Sequence, residues 1–260
     1  MLRIENYFAR IGWTGGRERS REALWKLHFL HATRIPFENL DIQLNVPVSL
    51  ALEALQRKLV DNLRGGYCFE QNTLFGAVLE ELGFSFIACE ARVRMGRPGL
   101  NPRTHMLLVV ETDEGRCICD VGFGGEGLLH PVFLDGRISE QFLWTYRVVT
   151  EGPQHVLQSK RQSDWMDLYA FLPQPCAPVD FEVANWFTST HPESRFVQIL
   201  TAQLPTPEAR HILRNRTYVI QRGSSEDTRE IGSLDELLTI LKLVFQLEMP
   251  SDTRFRNPVF

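Results

Sequence analysis

The sequence predicts an α+β fold with its helices and strands in separate layers, and three observations predict it. Over roughly the first eighty positions the apolar residues recur at helical spacing. From residue 84 the pattern changes to runs rich in Val, Ile, Leu, Phe and Tyr, cut by breaks containing Gly and Asp. The tail then mixes two or three strands with one strong helix. Alternating βαβ units would call for a parallel sheet, whereas helices first and strands afterwards call for segregated layers.

In chain order, Ser20 precedes Leu24, Leu27, His28 and His31, which share a helical face, and this segment stops before Ile35-Pro36. Pro47 and Ser49 open a second helix carrying Leu50, Leu52, Leu55, Leu59 and Val60. A third covers 69–82 and is closed by Gly83, which stands where a left-handed residue belongs. Strands are expected over 84–95, 103–112, 116–123, 141–150 and 155–172, with turns such as Thr112-Asp113-Glu114-Gly115 and Asp135-Gly136 between them. That is an antiparallel run of the sandwich or barrel kind. Residues 178–188 read as a short helix with proline in its first turn. Further strands are expected over 196–204 and 211–222. The last helix, 234–247, begins at Ser233 with Glu236 at capping-box spacing, and its stripe of Leu234, Leu237, Leu238, Leu241, Val244 and Phe245 faces a core. Pro173, Pro175 and Pro178 mark a domain join.

The 260 residues are 43% hydrophobic and 23% charged, an ordinary globular composition. A net charge of −4 offers no basic excess for nucleic acid. No apolar run reaches membrane-spanning length, and the start, MLRIENYFAR, carries no signal-peptide core. A cytoplasmic, reducing setting is therefore expected for the five cysteines, without a disulfide framework.

The most informative stretch is Arg64-Gly65-Gly66-Tyr67-Cys68-Phe69-Glu70-Gln71-Asn72. Two glycines permit a sharp turn into a helix, and Cys68 falls in that helix's first turn, where unpaired N–H groups and the helix dipole favour a thiolate. The same N–H groups suit an oxyanion. Most cysteines are small buried apolar groups, and Cys89, Cys117, Cys119 and Cys176 are read that way. A thiolate nucleophile needs a base, and the base an orienting group. His105 lies near the start of a strand apolar on both faces, a place where a histidine is more often a satisfied core residue. Asp120, in the apolar strand ending Cys119-Asp120-Val121-Gly122-Phe123, needs a partner, because an unpaired buried carboxylate is costly. The turn at Asp113-Glu114-Gly115 can bring it beside His105, so Cys68, His105 and Asp120 are compatible with a triad. Cys117-x-Cys119 lacks a second ligand pair, so no metal is expected. Gly122-Phe123-Gly124-Gly125 lacks the Lys-Ser/Thr of a phosphate loop and is read as a flexible wall beside a ligand.

On these residues, together with Pro36-Phe37-Glu38-Asn39-Leu40, Thr104-His105 and Asp120-Val121-Gly122-Phe123-Gly124, the chain resembles the arylamine N-acetyltransferases of bacterial type. The resemblance runs through nearly the whole chain. It implies a helical N-terminal bundle carrying the nucleophile (1–84), a central antiparallel β-barrel carrying His and Asp (85–185), and a C-terminal α/β lid (186–260), with a cysteine-protease-like core. It implies that Cys68 accepts the acetyl group, that His105 is its base and Asp120 the orienter. Arg64 then pairs with Glu38 as structural support. Phe37, Val93 and Phe123 fall at an apolar acceptor pocket, and Thr104 and Phe196 lie near the thioester end of coenzyme A; core packing is the competing reading for the apolar ones. The implied partners are acetyl-CoA as co-substrate and a small aromatic amine or hydrazine. Three readings stay open beside this one: an amide synthase of the same family, a transglutaminase- or papain-like enzyme with the same Cys–His–Asp/Asn logic, and a non-catalytic binder.

Overall fold

The computed structural model describes residues 1–96, 99–258 and 260. The N-terminal layer comprises helix α1 (Ile4–Ile11), helix α2 (Arg21–Arg34), the two-residue strand β1 (Phe37–Glu38), the helical turn α3 (Leu40–Gln43), α4 (Leu52–Leu55) running into a π-helical segment Gln56–Asp61, and α5 (Cys68–Glu81). Ser20 caps α2 by accepting from the Ala23 N–H at 3.1 Å, the role its position predicts. Strand β1 was not foreseen. Two residues are too few for a period-2 pattern to register.

Eight strands follow: β2 (Phe86–Val93), β3 (Arg103–Thr112), β4 (Gly115–Cys119), β5 (Val132–Phe133), β6 (Ser139–Gln141), β7 (Trp144–Glu151), β8 (Gln154–Arg161) and β9 (Asp164–Phe171). They form one antiparallel sheet in the order β5-β4-β3-β2-β9-β8-β7-β6, curled into a nearly closed barrel. Strand β3 shows how this barrel meets the helices. Its Met106, Leu108 and Val110 pack with α2 and α5, while Leu107 and Val109 face the barrel core with Tyr146, Leu157 and Tyr169. Both faces are covered, which is why the sequence there is apolar without alternation.

The C-terminal part contains α6 (Pro178–Thr190), α7 (Arg195–Gln198), β10 (Thr201–Pro205), β11 (Arg210–Arg214), β12 (Thr217–Arg222), β13 (Ser225–Glu230) and α8 (Leu234–Phe245). Its sheet runs β1-β10-β11-β12-β13, so the N-terminal strand β1 edges it through Phe37↔Gln203 and Glu38↔Ala202. Helix α8 covers this sheet with Leu237, Leu241 and Phe245. Among the described residues no helix is long and apolar enough to cross a membrane.

Four local expectations are corrected. The run 155–172 is a hairpin, β8–β9, turning at Gln162, whose φ is +47°. The run 211–222 likewise folds back at Asn215, φ +49°. Neither turn contains Gly or Pro, the usual punctuation. Residues 196–204 begin in the helical turn α7 before entering β10. The strand expected to reach residue 123 stops at Cys119, so Asp120 lies just beyond its end.

Candidate active site

Cys68 is the first residue of α5, and the glycines before it are there for close approach. A Cβ on Gly65 would stand 2.0 Å from the Pro36 carbonyl oxygen, and one on Gly66 would stand 2.7 Å from Glu70 Oε2. The Glu70 carboxylate accepts from the Tyr67 N–H at 3.1 Å, satisfying a backbone donor at the helix start. Beneath it lies an ionic cluster in which Glu38 and Glu70 are buried and Asp41, Lys58 and Arg64 are half-buried. Lys58 reaches Glu70 and Asp41, each at 2.7 Å. Arg64 reaches Glu38 at 2.8 Å and Asp41 at 3.0 Å, the pairing expected for Arg64 and Glu38. Glu38 also accepts from the Leu40 N–H at 2.6 Å.

His105 enters from β3 through a register irregularity. Ala91 pairs with His105 but Arg92 with Arg103, so Thr104 is an extra residue on that strand. Such a bulge bends the strand and re-aims its neighbours. The Thr104 carbonyl oxygen accepts from the Cys68 thiol at 3.7 Å. His105 Nε2 lies 2.7 Å from Asp120 Oδ2, which leaves Nδ1 for the cysteine. Burial disfavours the imidazolium, but the Asp120 charge, its hydrogen bond and a hydrogen bond with Cys68 outweigh it, and the pKa rises to about 10.

Asp120 has no exposed surface. Its Oδ1 accepts from Asn72 Nδ2 at 2.9 Å and from the Gly122 N–H at 3.0 Å. Burial would raise its pKa, yet His105 and these donors hold it below the ordinary carboxylate value. Its own N–H donates to His28 Nε2 at 3.1 Å. The chain's bend after Cys119 is what makes this possible: a Cβ on Gly122 would lie 2.7 Å from Cys68 Cα, so the loop runs directly over the helix start. The wall read as flexible is instead held. Phe123 meets the His105 ring edge-on at 4.9 Å, and Tyr169 packs on both at 4.8 and 4.9 Å.

A cavity of about 840 Å³ opens over Cys68 and His105, and Phe37, Val93, Thr104, Phe123 and Phe196 all line it. Arg64, Glu38 and Asp120 stand behind it. Four participants escaped the sequence reading: Asn72, Tyr169, Gln203 and Glu126. Asn72 carried a signal, lying one helical turn after Cys68; Glu126 directly follows the Gly122–Gly125 stretch but nothing local shows what it pairs with, and Tyr169 and Gln203 are distant in sequence and carried none. Among the described residues no group of three or more His, Cys, Asp or Glu side chains is arranged to hold a metal ion.

A family profile described as N-acetyltransferase matches residues 21–254. The chain is 39% identical to an arylamine N-acetyltransferase of Mycolicibacterium smegmatis, across 95% of this chain and 92% of that one. The solved arylamine-N-acetyltransferase structure from M. tuberculosis superposes with a TM-score of 0.92 at 36% identity, covering 98% and 96% of the two chains. The Mycobacterium marinum arylamine N-acetyltransferase, solved in complex with CoA, gives a TM-score of 0.90 at 35% identity, covering 94% and 92%.

Proposed function

The chain belongs to the arylamine N-acetyltransferase family and is an acetyltransferase, and on that premise we propose that it carries acetyl from acetyl-CoA to the nitrogen of an arylamine or arylhydrazine by way of an acetyl-cysteine on Cys68. One observation carries this reading. A cysteine at a helix start shares a cavity of about 840 Å³ with a histidine whose far nitrogen lies 2.7 Å from a fully buried aspartate.

The proposed steps follow from that charge arrangement. The Cys68 thiolate, paired with the His105 imidazolium, attacks the thioester carbonyl. As the tetrahedral intermediate collapses, the departing CoA sulfur takes the proton from His105. His105 is then neutral and ready as a base. The amine attacks the acetyl-cysteine, His105 Nδ1 takes its proton, and the cysteine sulfur leaves as thiolate, restoring the ion pair. Asp120 keeps its charge throughout and orients the ring. Phe37, Val93 and Phe123 suit a flat aromatic acceptor and exclude the water that would hydrolyse the acetyl-enzyme, while Thr104 and Phe196 border the reacting thioester. The CoA bound to the M. marinum relative supports the choice of donor.

Mass spectrometry after mixing with acetyl-CoA should find a gain of about 42 mass units on Cys68. Cys68→Ala should abolish transfer while leaving the circular-dichroism spectrum and melting temperature close to wild type. Absence of the adduct, or full activity in Cys68→Ala, would overturn the reading. A panel of aromatic amines and hydrazines, run with acetyl-CoA and longer acyl-CoAs, identifies the acceptor class.

A further inference from the structure

We propose that Arg210 is a positioning residue: from the C-terminal sheet it grips Glu126 and so fixes the 122–127 loop, including Phe123, against His105 and Cys68. The inference rests on the acetyl-transfer reading for its catalytic consequence, but not for its structural one.

Among the described residues, Arg210 is the largest fully buried side chain. It sits on β11, in a different layer from the triad. Its Nη1 donates to Glu126 Oε2 at 2.8 Å, its Nη2 donates to the Tyr146 hydroxyl, and its guanidinium lies 4.2 Å from the Trp144 ring centre. Tyr146 in turn donates to the Gly127 carbonyl oxygen at 3.0 Å. Arg161 of β8 meets the same Glu126 oxygen from the barrel side. The next strand of the C-terminal sheet takes the loop one residue earlier: the Gln203 amide oxygen of β10 accepts from the Gly125 N–H. Gly124 has φ +80°, and a Cβ there would stand 2.8 Å from Gln203.

The loop is therefore clamped at 125–127 from the C-terminal sheet and the barrel, and at its other end by Gly122 over Cys68. Phe123 lies between the two clamps, with its ring on His105. A fully buried arginine is costly to desolvate. Its planar fork suits the two acceptors met here, where a lysine would offer a point charge. Releasing the clamp lets Phe123 swing and admits water to the acetyl-cysteine.

The test uses the full chain carrying Arg210→Met, with Glu126→Gln, which keeps the side chain's shape, giving the same readings if the first does not fold. Hydrogen exchange read on peptides covering 121–128 should speed up about tenfold or more, with α5 and β3 unchanged. In the acetylated enzyme, the ratio of acetyl-cysteine hydrolysis to transfer onto an arylamine should rise about fivefold or more. That ratio is independent of how much enzyme is folded, so simple destabilisation leaves it fixed. The Arg210→Met/Glu126→Gln double variant should match the worse single variant rather than add to it. Unchanged loop exchange, or additive effects, would overturn the proposal. If wild type shows no adduct on Cys68, the acetyl-transfer reading falls, while loop exchange still decides the clamp.

Discussion

An aspartate without solvent keeps its charge only if hydrogen-bond donors replace the water it has lost, and Asp120 has three: His105 at 2.7 Å, Asn72 at 2.9 Å and the Gly122 N–H at 3.0 Å. The exchange is mutual, since burial acting on His105 alone would favour the neutral ring. Asp120→Asn keeps the size of the side chain and removes the charge. His105 should then be neutral near pH 7, and the cysteine should lose its cationic neighbour. The expected result is alkylation of Cys68 by iodoacetamide at pH 6–7 slowed by about tenfold or more. Urea denaturation should also report a loss of about 3 kcal/mol, the usual effect of breaking a buried pair. An alkylation rate equal to that of wild type would mean that Asp120 does not set the charge on His105.

At the scale of elements, the start of α5 stands on the ionic cluster of Glu38, Asp41, Lys58, Arg64 and Glu70. Burial raises the Glu70 carboxyl to about 7, and Lys58 at 2.7 Å opposes a further rise. Lys58→Met removes that restraint and should destabilise the fold by about 3–5 kcal/mol at pH 8. A carboxyl with a raised folded-state pKa favours folding below its unfolded pKa and loses that contribution as pH rises through the folded value. The penalty of Lys58→Met should therefore shrink by about 1–2 kcal/mol between pH 8 and pH 6, measured as the difference from wild type in urea. A penalty independent of pH would place the missing charge balance elsewhere.

These elements also mark how far the sequence could be read. Helix α5 and its cysteine were legible because a double glycine and a helical period are local signals. The His105–Asp120 hairpin was legible because a carboxylate in an apolar run demands a partner. Strand β13 was not, since Ser225–Glu230 is polar and exposed along its whole length and has no buried face to impose alternation. The β8–β9 and β11–β12 turns were hidden because Gln162 and Asn215 hold left-handed geometry without glycine. The loop's fastening by Gln203 and Arg210 joins residues about eighty apart in sequence, and no spacing rule reaches that far.

For the molecule as a whole, the response to pH is set by which buried histidines are neutral and which is charged, and by Glu70, whose raised carboxyl acts against the neutral histidines below pH 7. His28 faces the Leu129 carbonyl oxygen through Nδ1 at 3.2 Å and accepts from the Asp120 N–H through Nε2. That pairing fixes one neutral tautomer, and protonation would set a donor against a donor. His31 sits between the Tyr7 hydroxyl at 2.8 Å, which can donate or accept, and the accepting Gln71 amide oxygen at 3.2 Å, so burial is what keeps this ring neutral. Burial brings His28 down to about 4 and His31 down to about 3. Between the ordinary histidine value of 6.5 and those lower ones, the unfolded chain binds protons that the folded chain refuses. Each histidine then removes about 1.4 kcal/mol of stability per pH unit as pH falls. By pH 5 the two together cost about 4 kcal/mol, a large part of a typical domain's 5–15 kcal/mol. His105 works in the opposite sense: raised to about 10, it favours folding fully below 6.5, and that contribution is lost as pH climbs through 10. Urea denaturation across pH 4–10 should accordingly peak near pH 6.5 and fall on both sides. His31→Gln should lower the acid slope by about 1.4 kcal/mol per pH unit and leave the alkaline limb intact. An acid limb unchanged by that substitution would mean that the protons taken up on acid unfolding belong to other groups. Because His28 holds the backbone of Asp120, His31 is the cleaner probe: its hydrogen-bond partners lie outside the His105–Asp120 pair, so a change in slope reads protonation and not disruption of the site.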